Sequence, residues 1–390
     1  MDSLTRSVDA IPAARLLSHS IVTLVDAQRQ AAGARLVSLE SPWWFVAILL
    51  QAIVLFYFWR SGNAARLRET LRNRLGSEFA VRFFFGAVLA LIARVAAVIP
   101  SFILWRIDRV MGLSHALTRI WAYEYVLGTI LGMLVAGVIA AVVLWLVDRT
   151  HQWYLYTIGA ILAVFLLGTM VSPFAIAPLF ERYAPFGGVA GARASAFAAR
   201  HGYAGIPIVV EHRIDRIPVD AAKVQGMGVT QRIVLADTLV SVATPGEIEF
   251  YVADEVAALD DHEPLRLALI DAGIFILGVA IAVVIADRIP FRRDDDPVSR
   301  LALVGVLLAL VYIGFVPVDH AVFSSMQLQA DRQAVVMTGD PASALRAFVR
   351  AGDERVEQVC PNAFGRVFIY RSPPLGAQAA AVGGVTPECR

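Results

Sequence analysis

Six long apolar runs leave this chain few folds to adopt. They fall at about Trp43–Trp59, Phe83–Trp105, Tyr125–Val147, Trp153–Phe180, Leu267–Ala286 and Leu301–Val318. Each reaches or approaches the roughly 20 apolar residues that a helix needs to cross a hydrocarbon core about 30 Å thick. The third carries no charged residue, and Trp or Tyr stands at several run ends, where an amphipathic ring suits the membrane surface. A buried helix of a soluble protein can imitate any one of these runs. Six in 390 residues describe a mainly α, polytopic membrane bundle. Composition agrees, with 58% hydrophobic and 17% charged residues. A net charge of +1, with Lys223 the sole lysine, gives no basic stripe for nucleic acid. Asp9, Arg15, Asp26 and Arg29 interrupt the early apolar stretches, so no cleavable signal segment is expected. Cys360 and Cys389 exclude a cysteine-rich metal site and allow one disulfide, whose formation the sequence leaves open.

Arginine distribution bears on orientation. With six spans, the Arg60–Arg82 loop, Arg149 and the 287–300 loop share one side and hold eleven arginines, against seven on the other side. Arginine-rich short loops stay cytoplasmic, which would put the long polar segment outside the cytoplasm. The expected organisation is an N-terminal polar segment (1–42), four spans (43–180), a small α/β unit (181–266), two spans (267–318) and a C-terminal helical region (319–390). The Arg- and Ala-rich, Lys-poor composition suggests a bacterial source, hence a multi-pass protein of the inner (plasma) membrane.

Within 181–266 the pattern predicts a helix over Val189–His201, a strand over Ile206–Val210 and a second strand over Arg232–Leu239. Thr244-Pro245-Gly246-Glu247 then supplies a capping box with proline at the first helical position. On the helix it opens, 245–263, Asp254, Ala258 and His262 recur every four residues and are expected on one face.

Several blocks together resemble the type I CAAX prenyl endopeptidases and their bacterial relatives, integral-membrane zinc metallopeptidases of the gluzincin kind. They are Gly112-Leu113-Ser114, Ala177-Pro178-Leu179-Phe180, the stretch 232–239, Glu247-Ile248-Glu249 opening a helix, Gln329-Ala330-Asp331 and Ser372-Pro373-Pro374. The resemblance runs over about 43–380, and it implies a cytoplasmic α/β unit where the arginine count implies an extracytoplasmic one. It implies a metallopeptidase-like α/β unit inserted in the bundle. It also implies zinc held by two histidines one helical turn apart and a later glutamate, with a second glutamate activating water. The matching positions here carry Asp254, Ala258 and Gln327, and Glu255 alone keeps the base position. The substrate-edge positions carry Ala221 and Ala222, two further motif positions carry Ser324 and Ser325, and the late histidine position carries Ser372. The resemblance makes Asp331 the carboxylate that supports a ligand histidine. With that histidine missing, Asp331 is expected to cap or pair locally.

Each residue has a plainer reading. Glu255 is either a retained general base or a leftover helix-surface glutamate, and the second is favoured because a base without a metal has no activated water. Asp254, Glu255, Asp260, Asp261 and Glu263 with His262 could hold a divalent cation, or form a solvated helix end at the membrane surface. His320 could approach the site, or sit at the interface. Arg94 and Asp271 lie within spans, where an unpaired charge costs about 2.5–3.5 kcal/mol, so pairing or a polar chamber is expected for them. The leading expectation is a pseudopeptidase with no cofactor, binding a peptide or membrane-protein partner, with the strand 232–239 as a possible docking edge. The alternatives are an active peptidase with a rearranged zinc site and a transporter built on Arg94 and Asp271.

Overall fold

A computed structural model of the chain describes residues 8–213, 222–290 and 296–387. Among the described residues six helices are long and apolar enough to cross a membrane: α1 (Ala27–Arg60), α3 (Glu78–Ala96), α5 (Thr118–Arg149), α6 (Trp153–Phe180, with a wide turn at Ser172–Ile176), α9 (Glu263–Arg288) and α10 (Leu301–Thr338). The short α2 (Asn63–Arg74) lies between the first two. Large apolar side chains face outward along these helices, among them Ile53, Leu167 and Val284 at 58–60% exposure. Water penalises such a surface and hydrocarbon does not. The chain is an integral, multi-pass membrane protein.

The run expected as one helix over Phe83–Trp105 breaks at Ala97, where α3 gives way to α4 (Val98–Val110). Pro100 explains the break: its ring clashes with the carbonyl four residues back, at Ala96. The two pieces still make one crossing, because both run down α1. Phe85 packs with Trp59, Leu89 and Ile92 lie against Ala52 and Leu55, and Leu104 and Asp108 share a cavity with Trp44 and Glu40.

Among its described residues the α/β unit holds four strands, β1 (Tyr183–Pro185), β2 (Ile208–Glu211), β3 (Ala222–Gln225) and β4 (Arg232–Ala236), in the order β1-β2-β4-β3. β4 runs parallel to β2 and antiparallel to β3. Between β1 and β2 comes α7 (Gly188–Arg200). The strand expected to reach Leu239 stops at Ala236, because the Asp237 carboxylate accepts backbone N–H bonds from Thr238 and Arg213, each 2.9 Å, and opens a helical turn. β4 is paired on both sides, so it offers no docking edge; that edge belongs to β3.

The capping box forms as the sequence dictates: the Thr244 N–H donates to Glu247 at 2.7 Å, and the Thr244 hydroxyl accepts from the Glu247 N–H at 3.4 Å. It opens α8 (Pro245–Asp260). His262 follows the end of α8 with φ 53°, a left-handed residue that turns the chain into α9. It therefore leaves the face of Asp254 and Ala258, against expectation.

After α10 come α11 (Pro341–Arg355) and α12 (Leu375–Ala381). One core joins distant parts of the sequence: Val8, Leu16, Ile21 and Val25 pack with Ile233, Leu235, Phe250, Phe348 and Leu375. The residues before α1 thus complete the α/β unit. Arg350, 2% exposed, ties the parts together by bonding Glu247 on α8 at 2.9 Å and Asp9 at 2.5 Å.

Candidate active-site cavity

α8 packs along α10, and α11 and α12 close over the pair. The space they leave is a cavity of about 160 Å³ lined by Asp254, Glu255, Gln327, Asp331, Arg355 and Gln378, among others. Of the positions that the resemblance singles out on α8 and α10, Asp254, Glu255, Gln327 and Asp331 line it, whereas Ala258, Ser324 and Ser325 do not. Ala222 and Ser372 line it too, whereas Ala221 lies outside the described residues.

Two amides organise the carboxylates. Gln327 Nε2 donates to Asp254 Oδ2 at 2.9 Å, and its side chain also bonds Asp331. Gln378 Nε2 donates to Asp331 Oδ2 at 3.1 Å. Asp254 Oδ1 is buried with no hydrogen-bond partner. The Glu255 carboxyl accepts from the backbone amide of Val224 on β3. Burial, then the neighbouring carboxylates of Asp331 and Glu255, hold the Asp254 carboxyl well above the usual carboxylate range. Burial followed by Glu263 pushes Glu255 up to about 8, against the opposing pull of the Val224 amide and Lys223.

These positions correct several expectations. Asp254 and Glu255 are each only 7% exposed, so they form neither a solvated helix end nor a helix-surface remnant. Asp260 does stay outside, accepting from the Tyr203 hydroxyl at 2.9 Å. Asp331, 1% exposed, pairs locally with Gln327 one helical turn back, as expected, and also accepts from Gln378, 47 residues away. His262 keeps its Nδ1 beside its own Leu259 carbonyl at 3.2 Å, outside the cavity. His320 lines a different cavity of about 310 Å³ with Glu40, Asp108 and Tyr312. Arg94 and Asp271 do not pair. Arg94 lies over the Tyr125 ring at 4.2 Å and donates to Thr129 at 3.4 Å, while Asp271 faces Arg371 at 3.9 Å.

Zinc, which the resemblance implies, needs three donors converging on one point. Ala258 has none, the Gln327 amide nitrogen is already a donor to Asp254, and among the described residues no three His, Cys, Asp or Glu are grouped to hold a metal. The residues present do not fit that centre. Sequence reasoning missed Gln378 and Arg355, which face the cavity from the C-terminal helices. The Ser372-Pro373-Pro374 block just before Gln378 was the available signal. It also missed Glu40 and Asp108, whose side chains share a hydrogen bond.

Fold and cavity define a polytopic membrane protein carrying a metallopeptidase-like unit. The family model described as CAAX prenyl protease N-terminal, five membrane helices, matches residues 40–182. A curated protein of Bacillus subtilis (strain 168), named as an uncharacterized metalloprotease, YhfN, is 20% identical over 346 residues, covering 85% of this chain and 80% of that protein. The crystal structure of S. mikatae Ste24p superposes with a TM-score of 0.77 at 17% identity, over 97% of this chain and 95% of that one, and so shares its fold. The chain is thus similar to the CAAX prenyl proteases in sequence over residues 40–182 and to Ste24p in fold over nearly its whole length. A bacterial plasma membrane accords with the Bacillus relative.

Proposed function

We propose that this protein is a pseudopeptidase: a CAAX-protease scaffold without zinc or proteolytic activity, which binds a peptide or a membrane-protein segment. The observation that carries the reading is the bond from the Gln327 amide to Asp254, made where two metal ligands would face each other, with Ala258 alongside. The amide occupies only Asp254 Oδ2 and brings no charge, so the pair offers a metal no converging set of ligands. The edge strand β3 supports the binding role, since an extended segment can add to its outer edge beside the cavity. The rearranged-zinc alternative loses support because His262 has left the face of Asp254.

Elemental mass spectrometry of the detergent-purified protein tests this, with an Asp254→His, Ala258→His, Gln327→Glu variant beside it. The expected result is near-zero zinc in the natural chain and zinc gained in the variant. About one zinc per natural chain overturns the proposal.

A further inference from the structure

The cavity gathers more carboxyl oxygens than its own donors satisfy. Asp254, Glu255 and Asp331 line it against the single cation Arg355. Asp254 is more than nine-tenths buried, with Oδ2 bonded to Gln327 and Oδ1 buried and unpartnered. A desolvated carboxylate oxygen without a donor is costly, and in native structures it marks a place where a donor belongs.

We propose that the cavity receives a primary ammonium group, the end of a lysine side chain from an extended peptide laid along β3, with Asp254 Oδ1 as its main acceptor. This rests on the zinc-free reading of the site and names the ligand chemistry it selects. An ammonium brings three N–H donors and one positive charge, matching one orphaned oxygen among several carboxylates. Phe323 and Tyr251 on the lining add aromatic surface, which attracts a cation without ligating it. A hard metal ion instead needs six or more converging oxygens, and the carboxylates here are not grouped for that. The volume of about 160 Å³ is far above the roughly 10–15 Å³ that one water fills, so an aliphatic arm fits with its head. Ala222 of β3 lines the cavity, and a strand added at that edge turns every second side chain to one face.

Isothermal titration calorimetry on the full-length, detergent-solubilised protein tests the proposal with a blocked five-residue peptide holding one central lysine, and with its norleucine counterpart. The lysine peptide should bind at least tenfold more tightly. That preference should vanish in Asp254→Asn, which keeps the shape, and persist in Asp260→Asn, whose carboxyl lies outside the cavity. Equal affinities, no binding of either peptide, or a preference that survives Asp254→Asn overturns it. Should Asp254→Asn fail to fold, thermal protection of the natural protein decides the matter: n-butylammonium chloride should protect and n-butanol should not, and equal effects or none overturn the proposal. Failure here in a protein shown to be zinc-free leaves the pseudopeptidase reading standing, whereas bound zinc removes that reading by itself.

Discussion

Gln327, Asp254 and Glu255 show how three side chains set the character of a cavity. Glu255 has the clearest consequence. It faces Asp254 on its own helix, Lys223 on β3, Glu263 on α9 and Asp331 on α10, and its carboxyl titrates near 8 against an ordinary 4.5. Between those values the folded protein holds a proton that the unfolded chain releases, so stability is greatest at the acid end and falls as pH rises through the window. The loss is on the order of a few kcal/mol for a shift of this size. Melting temperatures at pH 5 and pH 9 should therefore diverge in the natural protein and diverge less in Glu255→Gln, where the raised Asp254 keeps a dependence of the same sign; an equal divergence in the two proteins would refute it. The resemblance pointed to these positions but not to their burial. Periodicity places Glu255 on a helix, yet whether that face meets water depends on α11 and α12, more than 80 residues downstream. Gln378 was invisible for the same reason.

Among the elements, α3 and α5 pack most intimately. A Cβ at Gly86 would lie 2.7 Å from the Ala136 carbonyl oxygen, and one at Gly137 would lie 2.8 Å from that of Phe83. Small residues let membrane helices approach this closely, since packing rather than water exclusion holds them together. Gly137→Val should cost about 1–3 kcal/mol by overpacking and lower the melting temperature by a few degrees. Gly132→Val, on the same helix with open space around it, should not. Equal melting temperatures for the two variants would show that the contact is dispensable. Elements with a local cause were readable from sequence: the capping box of α8 and six apolar crossings. Those that depended on a competing local signal were misread, as where Pro100 splits a run, Asp237 ends β4 and His262 turns left-handed.

At the scale of the molecule, the α/β unit and the arginine-rich loops occupy opposite ends of the bundle. The far end is fastened by the Arg68–Asp296 ion pair at 2.7 Å, while Cys360, in the unit, is disulfide-bonded. The arginine rule predicts an extracytoplasmic unit, where a disulfide would persist. A cysteine at the exposed Val229 should react with a membrane-impermeant maleimide in intact cells; labelling only after lysis would reverse the orientation. The joining of the two chain ends has a further consequence. Asp26 bonds Asp353 across 327 positions at 2.8 Å, and Ser20 bridges Val385. The ribosome delivers the first partners of these contacts roughly a quarter of a minute to a minute before the last, at about 5–20 residues per second. Until then half of a hydrophobic core waits open for its closing half. A chain that has inserted an odd number of crossings leaves its ends on opposite sides of the bilayer and can never close it, so the core itself verifies that insertion is complete.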